Sequence, residues 1–127
     1  MRLRIDLAYD GTDFSGWAKQ PDLSTVQGTL EDALSTILRV DDVHTVVAGR
    51  TDAGVHATGQ VVHVDVEDTV EAGSVQSRLN SLLSNSGISI RSVSVAPEGF
   101  DARFSPIFRR YEYRIADALS DRDPRTR

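Results

Sequence analysis

The residues RLRIDLAY, Arg2–Tyr9, alternate without exception. Leu3, Ile5, Leu7 and Tyr9 fall on one side, and Arg2, Arg4, Asp6 and Ala8 on the other. Successive side chains of a strand point to opposite faces, so the pattern demands a sheet with one covered face and one polar face. Covering requires apolar partners, and two helical patterns supply them. Val26, Leu30, Ala33, Leu34, Ile37 and Leu38 recur at helical spacing, which predicts a helix over about residues 25–39 with Ser24 and Gln27 as a capping box. Val75, Leu79, Leu82 and Leu83 mark a second helix, with Ser74 as its cap and Gly87 as its stop.

The remaining apolar runs read as strands. HTVVAGRT is a second strand and GQVVHVDVE a third, and the short turn between them predicts an antiparallel pair. ISIRSVSVA is a fourth, stopped by Pro97, and RRYEYRIAD a fifth, entered through the loop PEGFDARFSP. The order is β-α-β-β-α-β with an added strand. It predicts an α+β, ferredoxin-like split β-α-β fold: an antiparallel sheet with both helices on one face. The opposite face is expected to stay open for a partner or a second domain. Such a fold hosts many activities and names none.

The chain has 127 residues, enough for one domain with an ordinary core. It lacks cysteine, which excludes a disulfide framework and a thiolate metal site. Its N-terminus shows no apolar signal region and no run reaches membrane-spanning length, so the expected compartment is the cytoplasm, with no membrane partner. The net charge of −5 argues against a general nucleic-acid coat, yet the charge is uneven. Residues 100–127 hold seven arginines against five acids, whereas residues 60–99 hold two against five. Phosphate contacts depend on local field, so the net charge excludes no RNA role.

Chemistry concentrates in GRTDAGVHA, residues 49–57. Arg50 and Asp52 are two apart and project together from an extended segment. The guanidinium favours an ionised, oriented carboxylate, as a nucleophile or electrostatic stabiliser needs, and makes a poor general acid. From spacing alone, an ordinary surface ion pair on a hairpin turn is the more frequent meaning. The second candidate is FRRYEYRI: Tyr111 and Tyr113 share one face, and Arg110, Glu112 and Arg114 the other. A ring flanked by arginines suits a stacked base with phosphates nearby, and core tyrosines of a half-buried strand show the same pattern. Arg103, in FDARFS, is either a phosphate contact or a solvated residue over an apolar lid. Trp17 is expected to anchor its loop against the core. His44, His56 and His63 with Asp52 or Asp65 lack metal-ligand spacing, so no metal is expected.

Together AYDGTDFSGWAKQP, TVQGTLEDAL, GRTDAGVHATGQVVHVD, FDARFS and RRYEYRI resemble the N-terminal half of the TruA-type tRNA pseudouridine synthases. The resemblance departs from the family pattern at Ala18, where glutamine is usual, and in LNSLLSNSGISI, which lacks a Leu-Pro pair. It implies isomerisation of uridine to pseudouridine at positions 38–40 of the tRNA anticodon arm, without cofactor or metal. It further implies Asp52 as the catalytic nucleophile, Arg50 as its partner and Tyr111 as the residue packing on the base. Arg103 and Arg110 are expected to contact RNA. The resemblance also implies tRNA as partner and a homodimer, the usual state of family members. The family also has a second half. The expectation is therefore a domain over residues 1–118 and, over 119–127, the start of a connection to a missing C-terminal domain, the fragment being inactive alone. The competing readings are a non-catalytic RNA-binding module on the same fold and a protein-interaction domain.

Overall fold

The computed structural model describes residues 1–11, 14, 16–17, 25–50, 56–106 and 108–110, the last three as backbone. Strand β1 (Arg2–Tyr9) is followed by helix α1 (Val26–Leu38), strands β2 (Thr45–Val47) and β3 (His56–Asp65), helix α2 (Ala72–Leu82), and strands β4 (Ile88–Val95) and β5 (Phe108–Arg110). The sheet runs β2-β3-β1-β4, with β5 on β3, and every pairing is antiparallel. This is the split β-α-β arrangement expected from the sequence, with its added strand.

Alternation in β1 becomes two chemically different faces. Leu3, Ile5, Leu7 and Tyr9 are buried, and the registers Leu3↔Val64, Ile5↔Val62 and Ile5↔Val93 extend that apolar face sideways. Val26, Leu30, Ala33 and Leu34 of α1 and Val75 and Leu79 of α2 join the same core cluster. Trp17 is 1% exposed and lies against Tyr9 with ring centroids 6.0 Å apart, so it anchors its loop as expected.

Helix ends differ from the sequence expectation by a residue or two, for identifiable reasons. Thr25 caps α1, its hydroxyl accepting the Gly28 N–H at 3.1 Å; Ser24 lies outside the described residues. Gln27, the other half of the expected capping box, has contacts of its own. Its amide donates to Glu31 at 2.9 Å, and its own N–H and that of Val26 donate to the carbonyls of Trp17 and Gly16. α2 starts at Ala72, two residues before the expected cap Ser74, after Glu71, whose side chain makes no capping bond. Leu82 is exposed, not core, and Leu83 takes the buried position. Asn80 clips α2 to β4: it donates to the Ile90 carbonyl at 3.1 Å and accepts the Ile90 N–H at 3.0 Å.

Two strand expectations are also revised. β2 is three residues, not the eight of HTVVAGRT, because β2 pairs with β3 only at residues 62–64, while β5 takes the same edge at residues 56–59. The fifth strand begins at Phe108, and its expected continuation through Asp117 lies outside the described residues. The face opposite the helices is not simply open. After β4 the chain crosses it as a strap, residues 97–106, containing one 3-10 turn at Ala102–Phe104 and ending at β5. Ala102 of the strap is completely buried, and His63 beneath it almost so.

Candidate active site at the exits of β2 and β1

Three chain ends meet on one side of the sheet. β1 ends at Tyr9, β2 runs out through Ala48, Gly49 and Arg50, and β3 enters at His56. β5 lies across from that entry, with Arg110 opposite His56 and Arg109 opposite Ala57. Antiparallel pairing directs β5 toward the start of β3.

Gln60 organises this corner. It pairs with Leu7 on the helix-covered face and is fully buried. Its amide donates to the Gly49 carbonyl at 2.6 Å and lies 3.4 Å from the Tyr9 hydroxyl, and its carbonyl accepts the Val61 N–H at 3.1 Å. The Ala48 N–H donates to the Val61 carbonyl at 2.8 Å. A buried amide must satisfy donors and acceptors together, so these bonds fix where the chain leaves β2. Arg50, next along, is exposed.

His56 closes the other side. Its Nδ1 lies 2.8 Å from the Gly11 N–H and 3.0 Å from Asp10 Oδ1. The two contacts are alternatives. A neutral ring with bare Nδ1 accepts from Gly11, whereas a ring protonated there donates to Asp10. Asp10 in turn donates its N–H to the Gly87 carbonyl at 2.9 Å. Gly87 has φ +87, a conformation that disfavours any side chain.

Of the residues singled out from the sequence, Arg50 and the backbone of Arg110 lie at this corner. Asp52 and Tyr111 lie outside the described residues. Arg103 sits in the strap with its guanidinium on Asp101, Nε 3.1 Å from both carboxylate oxygens and one terminal nitrogen 2.6 Å from Oδ2. That pairing, with the Arg103 N–H, holds the Asp101 carboxyl well below the usual carboxylate range and raises the Arg103 pKa. Among the described residues no cluster of three His, Cys, Asp or Glu side chains could hold a metal ion, and no helix is long and apolar enough to cross a membrane.

Sequence reasoning missed Gln60, His56 and Asp10. For Gln60 a signal existed: it shares the inward parity of Val62 and Val64, where an uncharged polar residue needs a buried partner. For His56 and Asp10 none existed, because their contact joins residues 46 apart.

Comparison with known proteins finds relatives over nearly the whole chain. A family model described as tRNA pseudouridine synthase matches residues 7–105. A protein of Frankia casuarinae named tRNA pseudouridine synthase A is 54% identical over 124 residues, covering 98% of this chain and 45% of that protein. The protein of the same name from Leifsonia xyli subsp. xyli is 50% identical over 141 residues, covering 97% and 49%. That of Bifidobacterium longum is 53% identical over 143 residues, covering 99% and 47%. The chain thus spans about half the length of the curated relatives it matches.

Proposed function

The chain belongs to the tRNA pseudouridine synthase family, and on that premise we propose that it carries the nucleophile-bearing part of a uridine isomerase acting on tRNA. The convergence of the β2 exit, the β3 entry and β5 at one corner is the observation that carries this reading. It brings Arg50 and the backbone of Arg110 to one corner, which supports a reading in which Asp52 and Tyr111, both outside the described residues, act there.

Isomerisation breaks the C1′–N1 glycosidic bond, turns the uracil and rejoins it to C1′ through C5, whose proton leaves to solvent. The reacting atoms are unreachable inside a stacked helix, so the uridine must be extruded. Asp52 acts as one ionised carboxylate beside the ribose, steered by Arg50. Attack on C1′, attack on C6 and removal of the C2′ proton all require that one group. None requires the pair of carboxylates used to hydrolyse glycosides. Tyr111 packs against the base, and a dry pocket keeps water from capturing the detached intermediate. The target is a uridine at positions 38–40 of the anticodon arm, and Arg103 and Arg110 add cationic contacts to RNA. No cofactor or metal takes part, and the whole enzyme works as a homodimer in the cytoplasm.

The test is Asp52→Asn in the whole protein, with tRNA binding and pseudouridine formation measured side by side. The expected result is abolished turnover with binding retained. Unchanged turnover overturns the assignment, and unchanged tRNA binding with no turnover in the wild type favours a non-catalytic RNA-binding module.

A further inference from the structure

We propose that His63 is a positioning residue: its imidazole fastens the 97–106 strap to the sheet and thereby sets where β5 enters beside residues 56–59. The fastening rests on geometry alone, and its consequence for turnover rests on the synthase reading above.

His63 stands on the face of β3 away from the helices and is 4% exposed. Its Nδ1 accepts the Ala102 N–H at 3.0 Å, and the Phe100 ring meets it edge to face with centroids 6.2 Å apart. The acceptor role requires a ring whose proton sits on Nε2. Burial, then the nearby Arg2 cation, lower the His63 pKa and favour that neutral form. Two β1 arginines assist from the side: Arg2 donates to the Phe100 carbonyl at 2.6 Å, and Arg4 lies over the Phe100 ring, 5.4 Å from its centroid. Asp101 and Arg103 of the strap engage each other. His63 is therefore a β3 side chain that hydrogen-bonds the strap directly.

The tether from this point to the corner is short. Phe108 lies six positions after Ala102, a reach of at most about 21 Å. Phe108 pairs with Gly59, four residues from His63 along β3 and so about 13 Å away. A displacement at Ala102 can reach β5 over so few residues, and there a slip of one residue would reverse which face each side chain occupies. Pro106, at the strap's far end, also helps line a pocket of about 220 Å³ with Arg4, Asp6, Gly59, Gln60 and Val61.

Protonation would undo the fastening, because an imidazolium has no lone pair on Nδ1. The charged groups facing His63 are Arg2 and Arg4 on β1, Asp65 on β3, and Asp101 and Arg103 in the strap; β2 contributes uncharged Val46. Both acids are already occupied, Asp65 by Arg2 at 2.7 Å and Asp101 by Arg103.

The test compares His63→Leu, which lacks an acceptor, with His63→Asn, whose Oδ1 stands near the place of Nδ1, in the whole protein. Hydrogen exchange reads the amides of Ala102 and of Phe108–Arg110, and pseudouridine formation reads kcat and KM. His63→Leu is expected to lose protection at those amides and to lower kcat on the order of 100-fold, as a displaced reacting group does. KM should change less than kcat, because the displacement also shifts Arg103 and Arg110 but removes neither cation. His63→Asn should restore both. Relative to intrinsic exchange, wild-type Ala102 should lose protection below about pH 6.5, whereas His63→Asn should not. If His63→Leu fails to fold, this pH comparison carries the test. Full protection in His63→Leu, or equal defects in both variants, overturns the fastening; lost protection with unchanged kcat overturns the link to the site. A wild type without synthase activity would instead overturn the functional reading, with exchange still deciding the fastening.

Discussion

The two faces of this sheet are covered in opposite ways. On one, two helices lay apolar side chains over Leu3, Ile5, Leu7, Val62 and Val64, all of them almost wholly buried. On the other, a ten-residue strap is held by an imidazole, an arginine donor and one stacked ring. The helix side rests on non-directional burial, which tolerates small shifts and does not titrate. The strap side rests on a few directional contacts, one of them an ionisable ring. The strap face thus governs how β5 is approached, while Gln60 on the helix-covered face holds the exit of β2. Whatever moves the strap can reach the corner where β5 meets β3 without disturbing the core.

That contrast can be broken or sharpened by measurement. The largest effect is expected on the helix side: Ile5→Ala should lower unfolding free energy by about 2–5 kcal/mol in urea titration, equally at pH 6 and pH 8. A marked pH dependence of that loss would blur the distinction between the faces. Next comes Glu31, the buried acid of α1, which accepts the Thr45 N–H, the Thr45 hydroxyl and the Gln27 amide, each at 2.9 Å. Glu31→Ala leaves the Thr45 N–H without its partner and should cost about 1–3 kcal/mol, read in the same titration.

The strap side predicts a smaller, pH-dependent effect. The folded pKa of His63 lies below its unfolded value of 6.5, so the unfolded chain binds more protons once pH falls past 6.5. Its contribution to stability is therefore complete above that pH and lost on acidification. The His63→Leu variant should lack this component of the slope. An identical slope in wild type and variant would remove His63 from the account. The smallest effect is expected at Arg103. Its pair with Asp101 is exposed, and Arg103→Ala should leave the melting temperature unchanged within error. A large drop would mean that the strap depends on this pair as well as on the imidazole.

Much of the fold was legible because its signals are local. The β1 alternation, the α1 spacing and the β4 run all appear as expected, since period and turn chemistry are written in neighbouring residues. The misreadings share a cause. β2 shrank because β5, more than forty residues later, occupies the rest of the β3 edge. The start of α1 is likewise shaped by a distant loop, Val26 and Gln27 donating their N–H groups to the carbonyls of Gly16 and Trp17. The face predicted to be open was covered by a strap whose fastening joins His63 to a residue 39 positions away. At the site, Arg50 was recognisable from its spacing to Asp52, whereas Gln60 and His56 acquire roles only through partners distant in sequence.

By itself, the order of residues determined the sheet, the two covering helices, the solitary acid of GRTDAGVHA and the family to which the chain belongs. Periodicity and short motifs are properties of adjacent positions, and they survive in the unfolded chain. Tertiary structure alone decided how the β3 edge is divided, which face carries the strap, and that a histidine holds it. Those outcomes depend on which distant hydrogen-bonding groups compete for one buried partner, and no local pattern encodes the result of that competition.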